Sequence, residues 1–129
     1  MGEKSMKYEE LYESFVSLFP EDRAIFDQLE KDADVDKNED GMHIMFGMVV
    51  VPYIKKVIEE NPAKIKKAFD FLEKMELDEN PKIGDVAEVS VLEALVTDEG
   101  GMKKYLKYIG PVSLKAARYM SRFYNTEPF

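Results

Sequence analysis

The sequence predicts an all-α protein of six or seven helices, built as a short α-solenoid or an irregular helical bundle, and three observations carry that expectation. Apolar residues recur at three- and four-residue spacing along most of the chain, and no stretch sustains the alternation of a strand. Asn-Pro occurs twice, at Asn61-Pro62 and Asn80-Pro81, each an N-cap followed by proline at the first helical position. The connections between periodic stretches are short, which gives a repeated helix-turn-helix rhythm. A chain of 129 residues is long enough to form one domain without staples. Residues 1–5 and 125–129 are expected to be flexible ends.

Tyr8, Leu11, Tyr12, Phe15, Leu18 and Phe19 mark the first helix, which Pro20 stops. The second is expected over residues 21–33, with Ile25, Phe26 and Leu29 inward and Glu21 and Asp22 at its positive N-terminal end. After an acidic loop, residues 42–60 read as a long helix that Pro52 kinks or splits, with the break expected near Met48. From Pro62 the inward stripe is Ile65, Ala68, Phe69, Leu72 and Met75. From Pro81 the chain is apolar almost all round through Val96, as in a helix covered on most sides. Met102, Tyr105, Leu106 and Ile109 predict a short amphipathic helix between Gly101 and Gly110. Pro111 opens the last helix, with Val112, Ala116, Ala117, Met120 and Phe123 inward.

Composition narrows function mainly by exclusion. There is no cysteine, so disulfides, thiolate zinc sites and thiol nucleophiles are excluded, and a reducing compartment, the cytoplasm, is expected. The N-terminus has no apolar signal core, and the longest apolar run, residues 44–54, is broken by Gly47 and Pro52, so no membrane span is expected. The net charge of −8 is unevenly spread: residues 1–61 hold 15 acids against 7 bases, whereas residues 98–129 hold 3 acids against 6 bases. Such an acidic N-terminal half repels nucleic acid and attracts a basic protein surface.

The densest acidic stretch resembles the start of a calcium loop. Asp36, Asn38, Asp40 and Gly41 fall at positions 1, 3, 5 and 6 of an EF-hand, where oxygen ligands and a sharp turn are needed. Position 12, normally a bidentate glutamate, is Gly47, so Asp36, Asn38 and Asp40 are weak metal candidates and no resident metal or other cofactor is expected. Met42, His43, Met45 and Met48 would suit Cu(I), but the same spacing fills core space in a helix. One histidine, no nucleophile elbow and no phosphate loop leave no catalytic constellation, and no enzyme is expected. Lys115, Arg118 and Arg122 form a basic row on the last helix, read as complementing the helix dipole.

The segments Phe46-Gly47, Phe71-Leu72-Glu73, Val91-Leu92-Glu93-Ala94-Leu95 and Tyr108-Ile109-Gly110-Pro111 resemble, over residues 7–124, a family of small bacterial all-helical proteins known mainly as a domain of unknown function. The resemblance implies a HEAT-like architecture and a relation to immunity proteins of toxin systems. Together with the charge distribution it leads to the expectation of a protein interaction module that neutralises a basic toxin, or holds another cytoplasmic protein. The acidic surface expected to meet the partner comprises Glu21, Asp22, Asp32, Asp34, Asp36, Glu39 and Asp40. The alternative expectation is a metal-responsive helical module using the incomplete EF-hand-like loop.

Overall fold

A computed structural model of the chain describes residues 6–98 and 100–124. The ends expected to be flexible lie outside the described residues, as does Glu99. Among the described residues there are six helices and no strand. Helix α1 covers residues 8–16, α2 residues 20–33, α3 residues 42–58, α4 Pro62–Glu76, α5 residues 81–96 and α6 Pro111–Phe123. No helix among them is long and apolar enough to cross a membrane.

Aromatic residues from the first half of the chain organise the core. The Phe15 ring lies 5.4 Å from Phe19, 6.3 Å from Phe26, 6.0 Å from Phe46 and 5.7 Å from Phe71 between centroids, so one side chain of α1 joins α2, α3 and α4. Edge-to-face contacts of this kind add roughly 0.5–1.5 kcal/mol per pair beyond burial. Tyr53 of α3 closes the cluster, 4.2 Å from Phe26. Helix α3 packs on α1, α2, α4 and α5, and α5 packs on α3, α4 and α6. The inward stripe expected for α4 is buried in full, and so are Ile83, Val86, Ala87, Val91, Leu92, Leu95 and Val96 of α5.

Both Asn-Pro helix starts form as the sequence predicts. Asn61 Oδ1 accepts from Lys64 N at 3.3 Å, and Asn80 Oδ1 from Lys82 N at 3.0 Å. The break expected near Met48 does not form. Helix α3 runs through Pro52, and Phe46–Val50 immediately before it is a π turn, in which the Val51 N–H donates to the Phe46 carbonyl. A π turn widens the helix and leaves room for the proline ring beside the carbonyl four residues back; α5 has the same register at Val86–Leu92 without a proline, so Pro52 is accommodated by a feature that both helices share.

Two further expectations are corrected. The segment after Gly101 forms only a 3₁₀ turn, Lys103–Tyr105, although Met102 and Tyr105 are buried as expected. Gly100 and Gly101 both have positive φ, and the turn that follows is closed by three-residue hydrogen bonds, from Tyr105 N to the Met102 carbonyl and from Tyr108 N to the Tyr105 carbonyl. Helix α6 packs Ala116, Ala117 and Met120 against the core as expected, but it is turned so that the two ends of the expected stripe leave it. Ser113, Ala117 and Ser121 face inward, while Val112 and Phe123 are exposed.

Glu73 accounts for that rotation. Its carboxylate, on α4, accepts from Ser113 N at 2.9 Å and Val112 N at 3.0 Å, closing the free N–H groups at the start of α6. A side chain at Gly110 would lie 2.4 Å from the Glu73 carboxyl, so the glycine leaves the carboxylate its place. With its N-terminus fixed against α4, α6 turns its smallest residues to the seam and approaches closely.

Candidate functional site

The acidic surface is built from the end of α2 and the loop that follows. Asp34 adopts a left-handed conformation, φ 58°, one residue past α2. Its N–H donates to the Lys31 carbonyl at 3.1 Å and the Val35 N–H to the Glu30 carbonyl at 3.1 Å, the paired bonds of a Schellman ending, with aspartate where glycine is usual. The loop then closes on itself. Asp36 Oδ1 accepts from Asn38 N at 2.8 Å, Asp40 Oδ2 accepts from Asp36 N at 2.8 Å, and Asp40 N donates to the Asp36 carbonyl at 2.7 Å.

Glu13 of α1 ties this loop to the body. It pairs with Lys37 in the loop and, at 3.2 Å, with Arg23 of α2; the Lys37 ammonium holds its carboxyl below the usual carboxylate range, aided by Arg23. Tyr12 beside it donates to Glu30 at 2.6 Å, and burial followed by that carboxylate pushes the phenol pKa up. The result is a loop whose backbone is held at both ends while Asp32, Asp34, Asp36 and Glu39 project to solvent and Asp40 is half-buried.

Two of the seven expected surface carboxylates are engaged elsewhere. Asp22 is buried, which corrects its placement on the partner surface: Asp22 Oδ2 accepts from the Tyr53 hydroxyl at 2.5 Å and from Lys64 Nζ at 2.6 Å. Burial raises its pKa, but the bonds from Lys64 and Tyr53 outweigh that and hold it below the ordinary aspartate value. Glu21 is exposed and sits 3.3 Å from the same Lys64. Asp22 thus joins α2, α3 and α4 at the edge of the aromatic cluster.

Of the three metal candidates, Asp36 and Asp40 each commit a carboxylate oxygen to the loop backbone, and Asn38 is exposed with its N–H donating to Asp36. Gly47, at the twelfth EF-hand position, lies inside α3, where a Cβ would be 3.8 Å from the Ser90 carbonyl of α5. The position serves helix contact. Among the described residues no group of three or more His, Cys, Asp or Glu side chains is arranged to hold a metal ion. Met42 and Met45 are core residues, Met48 is exposed, and His43 Nδ1 is 2.7 Å from Ser90 Oγ.

A second carboxylate group escaped the sequence reading. Glu76, at the end of α4, faces Glu88 of α5, and its Oε2 is buried with no hydrogen-bond partner among the described residues. Two ionised carboxylates are both acceptors, so a bond between them requires a proton; burial, then the bond to Glu88 and the charges of Glu88, Glu73 and Asp85, pushes the Glu76 pKa up.

Against this geometry, the sequence profile of a domain of unknown function, DUF7674, matches residues 12–125. The chain belongs to this family. No curated protein and no solved structure matches it. In this DUF7674 chain the matched span takes in all of α2 to α6, the acidic loop, Asp22 and the Glu73 cap. The signal that could have revealed Glu73 in the sequence is the Gly110-Pro111 pair: a helix start with proline at its first position and no side-chain cap of its own needs an acceptor from elsewhere.

Proposed function

We propose that the protein is a non-catalytic, cytoplasmic interaction module that holds a basic protein partner on the acidic face formed by the end of α2 and the following loop. Its sharpest form is a HEAT-like immunity protein that neutralises a basic toxin. The observation that carries the reading is a backbone fixed by its own hydrogen bonds and by Glu13, from which Asp32, Asp34, Asp36 and Glu39 project unburied. A rigid carboxylate array loses little conformational entropy on binding and steers an oppositely charged partner. The packing of helices on their next-but-one neighbours, α3 on α5 and α4 on α6, supports a stacked-pair architecture of the HEAT type.

Affinity capture from native lysate tests the proposal, with the intact chain as bait at low and moderate salt. The expected result is one basic, stoichiometric partner whose recovery falls with salt and falls at least about tenfold with Asp32→Lys/Glu39→Lys bait. These two positions avoid the carboxylates that hold the loop. A partner retained equally by both baits would overturn the assignment of this surface.

A further inference from the structure

Helix α6 buries Ser113, Ala117 and Ser121 and packs Met120 on the core, yet it leaves Val112, Tyr119 and Phe123 exposed. Tyr119 is 66% exposed and Phe123 73% exposed, and with Val112 they fall at spacings of seven and four, on one face. Lys115, Arg118 and Arg122 run along one side of that face, and none of the three is in an ion pair among the described residues.

The same chain carries a surface of opposite character. Ile44 and Met48, one turn apart on α3, are 44% and 47% exposed, and Val89 of the adjoining α5 is 54% exposed. Ile44 stands on the first turn of α3, four residues after Asp40, so the acidic loop leads directly into this helix, and α3 meets α5 at His43 and Ser90, next to Ile44 and Val89 in the chain. One helix face is therefore aromatic and flanked by cations, and the other exposed residues are aliphatic and follow the acidic loop in the chain.

We propose that the basic, aromatic face of α6 docks onto the acidic loop and the Ile44, Met48 and Val89 patch of a second copy of this chain. The charges select this head-to-tail pairing over an antiparallel twofold pairing of α6 with itself. Two α6 helices laid antiparallel about a twofold axis would bring their basic rows together, whereas head-to-tail docking sets each row against carboxylates. The net charge of −8 disfavours an anionic bilayer as the occupant, because a flat membrane would face much more of the acidic molecule than the one helix. A head-to-tail contact is heterologous, so each docked copy leaves one face of each kind open for the next. The inference stands on the exposed faces and their charges and does not require the partner proposed above.

Sedimentation of the full chain tests it. The average mass of the wild-type protein should rise with concentration at low salt, and the rise should be lost in about 1 M salt, where the screening length is only about 3 Å. Phe123→Ser should weaken the association at least about tenfold. Arg118→Glu/Arg122→Glu alone and Asp32→Lys/Glu39→Lys alone should each remain monomeric, while their mixture should associate, because each reversed face then finds a complementary one. A wild-type chain that stays monomeric at every concentration in low salt would overturn the proposal. So would association that the α6 charge reversal leaves intact, or α6-dependent binding to anionic phosphatidylserine vesicles by a chain that remains monomeric.

Discussion

Asp22 illustrates how far a residue's role depends on neighbours distant in sequence. By composition and position it is one more carboxylate at an acidic helix start; in the fold it is the shared acceptor of Tyr53, 31 residues later, and Lys64, 42 residues later. Asp22→Ala would leave a buried hydroxyl and a partly buried ammonium without their acceptor, at a cost of about 2–3 kcal/mol. Urea unfolding should show that loss as a lower midpoint at pH 7 with an unchanged slope, whereas Glu39→Lys on the exposed loop should change stability by less than about 0.5 kcal/mol. Asn61 and Asn80 behave oppositely to Asp22. Their roles were legible because a cap bonds to N–H groups two or three residues away, within reach of a sequence pattern.

At the scale of elements, the apolar periodicity located every helix, and its failures have physical causes. Helix α3 was expected to break because proline removes a hydrogen bond, yet the π turn absorbs that loss within the helix. The setting of α6 could not be read from its own residues, since hydrophobicity favours Phe123 inward and the carboxylate that overrides it belongs to α4. Glu73→Ala should therefore cost about 1–2 kcal/mol, the range of a lost helix cap, and Gly110→Ala should cost a comparable amount by displacing the same carboxylate. Thermal denaturation of the two single variants and the double variant checks this. Because both act on one contact, the double variant should be little less stable than the worse single one, and full additivity would show that Gly110 has a separate role.

Across the whole molecule, two carboxylates pull the pH dependence of stability in opposite directions. The pKa of Asp22 is lowered on folding, so its contribution is complete above its ordinary value of 3.8 and is lost as pH falls through the folded value. The pKa of Glu76 is raised, so its contribution is complete below its ordinary value of 4.5 and is lost as pH rises towards the folded value. Stability should therefore peak on the acid side of neutrality. Glu76→Gln, which supplies a donor to Glu88 at any pH, should raise stability at pH 8 by about 1–2 kcal/mol and flatten the decline between pH 5 and 8. Melting temperatures measured across that range decide the matter, and a wild-type curve that rises to pH 8 would show that Glu76 ionises freely in the folded chain. The acidic face was legible as a charge density, whereas its shape came from hydrogen bonds that charge counting does not see.

The Glu73 cap also has a consequence for the order in which the helices are expected to dock. As the chain leaves the ribosome, the acceptor on α4 appears some 40 residues before the N–H groups it will bind, by which time the aromatic cluster of α1 to α4 is complete in sequence. Helix α6 is therefore expected to dock onto a carboxylate that is already in place on α4.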